Sequence, residues 1–239
     1  MLVMMVGVFR SKKEENVLKG IRLFEPFSKE ELGNICKIGG PTAIQGMVYC
    51  MISMVLTRMV AAFGAEAIAT QRVGGQIESV SWNTADGFAA ALNAFVGQNY
   101  GAKKMDRVQE GYRISFWTVA IWGALIMLAF IIFPGPIAGV FFHEEKAMEI
   151  AISYLIIIGF SEAFMCVELM TIGALSGLGK TKLCSVISIT ATSMRIPLAM
   201  VLSRTSLGLD GIWWALTLTS VAKGIIFYLT FRYQMREKC

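Results

Sequence analysis

Charged side chains are scarce in this sequence of 239 residues, and their scarcity excludes an ordinary soluble domain. Only 16% of its residues are charged, whereas soluble globular proteins average about 25%. Apolar residues make up 55% of the chain, and its mean hydropathy is +0.60. A fold with so few charges cannot cover itself with polar surface, so we predict that its apolar side chains face a lipid bilayer.

Histidine and paired cysteines are also lacking, which excludes the common metal and hydrolase motifs. His143 is the single histidine, so the sequence His143-Glu144-Glu145 cannot complete a zinc-binding HExxH motif. The cysteines form no CxxC pair and are interpreted as free thiols; they are Cys36, Cys50, Cys166, Cys184 and Cys239. We therefore predict no catalytic residue, no metal site and no cofactor, and we expect the protein not to be an enzyme.

Two features that could suggest a nucleotide or a nucleic acid have simpler explanations. The segment GALSGLGKT (Gly173–Thr181) ends like a phosphate-binding loop, but five residues separate Gly173 from the GK pair, and the motif needs four. We interpret it as a turn between helices. The net charge of +5 comes from Lys and Arg residues that lie between apolar runs. Such loop charges orient membrane helices, so we predict no nucleic-acid partner.

Long apolar runs dominate the rest of the chain. Each run has about 20 to 30 residues, enough for a helix to cross a bilayer, and glycine or proline separates one from the next. We predict an all-α integral membrane protein, a bundle of six transmembrane helices at Ile38–Phe63, Ile68–Val96, Tyr112–Phe133, Met148–Leu175, Leu183–Leu202 and Ile212–Phe231.

Lysine and arginine are unequally divided between the two sides of this predicted bundle. Sixteen of them lie in residues 10–37, in the second and fourth loops and in the C-terminal tail. Two, Lys146 and Arg204, lie in the first, third and fifth loops. Because cytoplasmic loops carry the excess of positive charge, we predict that both ends of the chain are cytoplasmic.

The chain is predicted to have four regions. Residues 1–9 are apolar but would reach only about 14 Å as a helix. We expect them to end a transmembrane helix that begins upstream, so that the chain is a fragment of a longer protein. Residues 10–37 are predicted to be a cytoplasmic connector, residues 38–232 the six-helix lobe, and residues 233–239 a cytoplasmic tail.

Polar residues at membrane depth are the best markers of a site, because each is costly unless it meets a partner or water. The second predicted helix has one stripe of them, Arg72, Gln76, Ser79, Asn83, Asp86 and Asn93, with Glu78 about 100° away. The stripe could simply bond to neighbouring helices. For Asp86 and Glu78 we favour a water-filled cavity.

Four further ionisable residues lie on the last three predicted helices. Glu162 and Glu168 are on the fourth, Arg195 is on the fifth near Pro197, and Lys223 is on the sixth, where we expect it to need an acidic partner. Glu168 is our first candidate for coupling to a cation, before Asp86 and Glu78. The first helix has small residues on one face, Gly46, Cys50, Ser53 and Thr57, which predicts close packing against a neighbour.

Four segments of the sequence are distinctive together: GGPTAIQGM (Gly39–Met47), GQIESVSWNTADGFAAALNAFVGQNYGAKK (Gly75–Lys104), GALSGLGKTK (Gly173–Lys182) and RIPLAMVLSRTSLGLDGIWWA (Arg195–Ala215). They closely resemble the C-terminal lobe of bacterial members of the multidrug and toxic compound extrusion (MATE) family. The likeness runs from about Val8 to Arg232, and GQNYGAKK is its most specific part.

The resemblance implies one lobe of a twelve-helix transporter in the bacterial cytoplasmic membrane. It implies export of cationic amphipathic drugs in exchange for Na⁺ or H⁺, by alternating access of a cavity between this lobe and an N-terminal six-helix lobe. The family's sodium-driven branch has an acid on the first helix of this lobe, where the chain has Gln45 and Tyr49. Glu168 lies about one turn from the family's acid on the fourth helix. We therefore expect Gln45, Tyr49, Gln76, Asn83, Glu162, Arg195 and Lys223 to line the cavity.

Three alternatives remain open. A lipid-linked oligosaccharide flippase shares this architecture and would use cationic side chains such as Arg195 and Lys223. A non-transporting fragment is a second possibility. An intramembrane protease is the third, although it would need a histidine or a metal cluster at mid-depth, and the sequence has neither there.

Overall fold

The computed structural model describes residues 29–236, and all the regular secondary structure in that range is helical. The predicted upstream helix end (1–9), most of the connector and the last three residues lie outside the described residues. The helices are α1 (Lys29–Ala61), α2 (Ala65–Gly101), α3 (Met105–Ile132), α4 (Pro134–Gly139), α5 (Glu145–Gly159), α6 (Glu162–Gly177), α7 (Thr181–Ser193), α8 (Arg195–Leu202) and α9 (Leu209–Arg236). The all-α prediction is confirmed for this part of the chain.

Two of the six predicted spans are broken helices. The fourth span consists of α5 and α6, which meet at an angle of 50° around Phe160 and Ser161. The fifth consists of α7 and α8, which are separated by Met194. Pro197 explains that break, because proline has no N–H to donate to the carbonyl of Ser193, the last residue of α7.

Four helical stretches are both long and apolar enough to cross a membrane: Gly39–Ala61, Met105–Ile132, Thr181–Leu202 and Leu209–Arg236. The bent pair α5–α6 makes a fifth if it is one span. The remaining long helix, α2, has 37 residues and so extends about 55 Å. The sequence predicted a span at Ile68–Val96 in this helix, but its polar stripe keeps α2 out of the stretches that are apolar enough to cross a membrane.

Contacts between side chains of different helices show which helix ends lie together. Lys146, at the start of α5, forms an ion pair of 3.4 Å with Glu66 at the start of α2. Ser153 of α5 donates a hydrogen bond of 3.1 Å to Asp210 at the start of α9. The loops before α2, α5 and α9, predicted to be the poorly basic ones, therefore share one end of the bundle.

Helix α6 packs against α2, α3 and α9 and forms the centre of the bundle. Its buried Cys166, Met170 and Ala174 belong to a core that also contains Phe227 of α9. Gly173 and Gly177 let α6 approach α2 closely, since a Cβ atom on Gly173 would lie 2.3 Å from the carbonyl oxygen of Ala89.

The prediction of close packing on the small-residue face of α1 is wrong. No atom of the described residues lies within 4 Å of the place where a Cβ on Gly46 would be, and Cys50 is exposed. Gly46 and Ser53 are exposed as well and border a partly open cavity. Side chains that allow close packing can equally line an open space, and the spacing alone does not distinguish the two.

Candidate functional site: a charged cavity inside the bundle

A cavity of about 520 Å³ lies between α1, α2, α5, α6, α7, α8 and α9. This volume is within the usual range for a site that holds a small organic molecule. Most of its walls are apolar, and four ionisable side chains reach it. The polar and aromatic lining residues are Gln45, Tyr49, Ser53, Gln71, Glu78, Trp82, Tyr154, Ser161, Glu168, Ser188, Thr192, Arg195, Ser220 and Lys223.

Glu168 and Lys223 form a buried ion pair on one wall of the cavity. The Lys223 ammonium donates to the Glu168 carboxylate at 2.8 Å, and the two side chains are only 9% and 6% exposed. Lys223 thus has the acidic partner that the sequence led us to expect. The second carboxylate oxygen of Glu168 has no hydrogen-bond partner among the described residues, so one oxygen can still receive a donor or a cation.

Glu78, on α2, is the second carboxylate in the cavity. The hydroxyl of Tyr154 on α5 donates a hydrogen bond to it. No lysine or arginine lies within ion-pair distance of Glu78 in the part of the chain that the structure describes. Its hydrogen-bond partner is a neutral hydroxyl, so Glu78, unlike Glu168, is not held in an ion pair.

Arg195 is anchored by hydroxyl groups of α9. Its Nε donates to Thr219 at 3.1 Å, and one of its terminal nitrogens donates to Ser220 at 2.9 Å. Arg195 begins α8, directly after the break that Pro197 causes. The guanidinium of Arg195 thus lies at the cavity wall directly after the break, where Thr219 and Ser220 hold it.

Several predicted site residues lie elsewhere. Asp86, Gln76 and Asn83 are exposed on α2 and do not border the cavity. Glu162 does not border it either; the residue is fully buried, and neither carboxylate oxygen has a partner among the described residues. It begins α6, where Ser81 of α2 contacts Cys166 at 3.3 Å. Gln45 and Tyr49 line the cavity as expected.

Sequence reasoning missed Tyr154, Thr219 and Ser220. Tyr154 lies in an almost purely apolar run, so nothing local distinguishes it from a core aromatic residue. Thr219 and Ser220 lie within one turn of Lys223, and that polar cluster on an otherwise apolar helix is a signal that could have identified them. Within residues 29–236 no group of three or more His, Cys, Asp or Glu residues could hold a metal ion.

The family model described as MatE matches residues 41–201, which include α2 to α7 and every wall of the cavity except α9. The chain belongs to the MatE family. This membership confirms the family resemblance seen in the sequence.

Two curated relatives are named as probable multidrug resistance proteins. The probable multidrug resistance protein NorM of Thermotoga maritima is 28% identical over 211 residues, which cover 84% of this chain and 45% of that protein. The probable multidrug resistance protein YoeA of Bacillus subtilis is 24% identical over 99% of this chain and 52% of that protein. The chain thus spans about half the length of the curated relatives that it matches.

A solved structure supports the architecture. The crystal structure of a MATE protein in the straight conformation superposes with a TM-score of 0.86, at 19% identity, over 99% of this chain and 54% of that one. At that identity the likeness concerns the fold. The all-α membrane-type fold is therefore confirmed, with four or five candidate spans in the described residues, and it matches about half of that structure.

Proposed function

We propose that the chain forms one half of a secondary active transporter that exports cationic amphipathic compounds in exchange for Na⁺ or H⁺. The main observation in favour of this proposal is the cavity of about 520 Å³. It lies in a membrane-type bundle, and its lining is mostly apolar and includes two carboxylates. Apolar walls suit the hydrocarbon part of such a compound, and carboxylates suit its positive charge. The names of two relatives, both probable multidrug resistance proteins, support drug export.

The two carboxylates have different parts in this proposal. Because Lys223 already neutralises Glu168, a coupling cation at the other oxygen of Glu168 would have to compete with the ammonium group. Glu78 has a tyrosine hydroxyl as its partner, so a cation there has no ion-pair partner to compete with. We therefore infer that Glu78 takes the coupling ion or the substrate's positive charge, and that Glu168 holds Lys223 in position. Asp86 lies outside the cavity and has no part in this step.

The flippase alternative has less support. It would need an excess of positive charge in the cavity to bind a lipid diphosphate. The lining has two cationic residues, Arg195 and Lys223, and two carboxylates, Glu78 and Glu168. The two positive and two negative charges balance, and Lys223 is already paired with Glu168.

The proposal includes an orientation in which both ends of the chain are cytoplasmic. Single cysteines at Glu66, His143 or Leu207, in a cysteine-free background, should react with an impermeant maleimide added outside intact cells, because all three lie at the poorly basic end. A cysteine at Lys103, which is exposed at the other end, should react only after the cells are opened. The reverse labelling pattern would overturn the orientation.

The proposal also includes a second lobe, because alternating access moves one half of a transporter against the other. In a pump-deficient bacterial host, the chain alone should give no resistance to cationic drugs. Co-expression with the N-terminal half of the Thermotoga maritima relative should restore it. The measurement is the minimum inhibitory concentration, with ethidium efflux as a direct readout.

A coupling role for Glu78 is tested in the same pair of chains. Glu78→Gln should abolish ethidium efflux while leaving the amount of folded protein unchanged, since the amide can still accept the Tyr154 hydrogen bond. The matched control is Asp86→Asn on the exposed face of α2, which should retain efflux. Full resistance from the chain alone, or unchanged efflux in Glu78→Gln, would contradict the respective part of the proposal.

A further inference from the structure

A second groove lies on the outside of the bundle, between the N-terminal part of α3 and the C-terminal part of α9. Its volume is also about 520 Å³. Three exposed arginines border it, Arg113 from α3 and Arg232 and Arg236 from α9, and no carboxylate-bearing residue does. None of the three guanidiniums has an acidic partner within ion-pair distance among residues 29–236.

The floor of the groove is aromatic. Tyr112 and Phe231 stack with their ring centroids 3.6 Å apart and join α3 to α9. Phe116 packs against Tyr228 at 5.2 Å and edge-on against Trp117 at 5.6 Å. The guanidinium carbon of Arg232 lies 5.9 Å from the centre of the Tyr228 ring. Aromatic residues beside arginines are typical of the level at which lipid headgroups meet acyl chains.

The groove continues into two exposed apolar surfaces. On α3 an exposed stripe runs away from it, made of Ile114, Trp117, Ile121, Leu125, Leu128 and Ile132. On α9 the exposed Ile225, Ile226 and Leu229 do the same. The α3–α9 face is therefore an apolar side of the bundle that suits lipid, and its charged groove lies at one end of that face.

The dimensions match a phospholipid. Arg236 is the last residue of α9, and Tyr228 lies about 12 Å further along the helix axis by helical rise. Headgroup phosphate at the arginines would thus put the first carbons of the acyl chains beside the aromatic rings. The remaining carbons would lie on the apolar stripes.

We propose that this groove binds one anionic phospholipid, with its phosphate held by Arg113, Arg232 and Arg236 and its acyl chains along α3 and α9. The proposal follows from charge complementarity, since three guanidiniums without acidic partners among residues 29–236 attract a negative headgroup over a zwitterionic one. It does not depend on the transport activity proposed above.

Bromine-labelled lipids test the proposal through Trp117, whose exposed ring borders the groove. The full chain is reconstituted into phosphatidylcholine vesicles with a minor fraction of either brominated phosphatidylglycerol or brominated phosphatidylcholine. Bromine quenches tryptophan fluorescence on contact. The part of the quenching that Trp117→Phe removes should be much stronger with the brominated phosphatidylglycerol.

Arginine removal should weaken this preference in steps. Each of Arg113→Gln and Arg232→Gln should lower it about fivefold, the equivalent of about 1 kcal/mol for one basic residue. The matched control is Lys104→Gln with Arg107→Gln, which removes two charges at the same end of the bundle but outside the groove. Arg113→Lys with Arg232→Lys keeps the charge and should retain most of the preference.

Three results would overturn the proposal. One is equal quenching by the two brominated lipids. A second is an equal loss in the control pair, which would mean a diffuse surface charge effect. The third is a preference that persists in the Arg113→Gln, Arg232→Gln double variant. If the glutamine variants do not fold, the lysine variant and the unchanged protein are compared at raised salt. A preference that both retain supports a headgroup site, and one that raised salt abolishes in both means an unspecific attraction and overturns the proposal.

Discussion

Replacing Glu168 with glutamine should strongly destabilise the purified chain, and replacing Lys223 with methionine as well should recover much of the loss. In the native structure the two groups form an ion pair of 2.8 Å with side chains that are 6% and 9% exposed. Removing one partner of such a pair leaves a buried charge without compensation and costs about 3–5 kcal/mol. Removing both leaves no charge to compensate, and a methionine side chain fits the space of a lysine stem.

The measurement is the melting temperature of the detergent-solubilised full chain. It is made for Glu168→Gln, for Lys223→Met and for the double variant. Glu78→Gln is the matched control, because it removes a carboxylate from the same cavity that no cation pairs with in the described structure. The control should melt close to the unchanged protein. Equal melting of Glu168→Gln and the unchanged protein, or a double variant no more stable than the single one, would contradict a structural role for the pair.

This experiment also decides between two roles for Glu168. The sequence made Glu168 the first candidate for coupling to a cation, and the contact with Lys223 favours a different role. A coupling carboxylate should tolerate the change to glutamine in stability and lose only ion-driven transport. A carboxylate that holds Lys223 should lose stability first.

Most of the helical fold could be predicted from the sequence, because the signals that determine it are local. Apolar runs of membrane length mark the spans, and glycine and proline mark their ends. Gly179, after α6, adopts a left-handed φ of 74° that suits a residue without a Cβ. The bend between α5 and α6 was not predicted, although Gly159 ends α5 directly before it, because the apolar run continues through Phe160.

The candidate site was predictable only in part, because its geometry depends on contacts between distant residues. Lys223 was expected to need an acid, but Glu168 is 55 residues away, and Glu78, Asp86 and Glu162 were equally available by sequence. Choosing among them requires the rotation of each helix about its axis. A stripe pattern gives the relative directions of side chains on one helix, but not which of them point towards the cavity.

Glu162 shows the same limit in the opposite sense. On a helix wheel it is about 120° from Glu168, so the two were expected to point apart, and only Glu168 borders the cavity. The sequence could not reveal that the other direction ends in the dense contact of α6 with α2 and α3.

Gly173→Ala, the smallest change possible in the centre of the bundle, should destabilise the chain by about 1–3 kcal/mol, the usual cost of overpacking. The new methyl group would lie 2.3 Å from the carbonyl oxygen of Ala89 and 2.8 Å from its Cα, and both are backbone atoms that can move only with the whole of α2. Gly177, one turn further, faces the carbonyl oxygen of Asn93 in the same way, at 2.6 Å. Small residues at this spacing are what allow two membrane helices to approach closely.

The matched control is Gly87→Ala on α2, where no atom of the described residues lies within 4 Å of the added methyl group. There alanine should stabilise the helix by up to about 1 kcal/mol, because it costs less conformational entropy than glycine. Thermal melting of the two variants in detergent should therefore shift in opposite directions. A Gly173→Ala protein that melts at or above the temperature of the unchanged chain would show that α2 and α6 do not pack as closely as the structure has them.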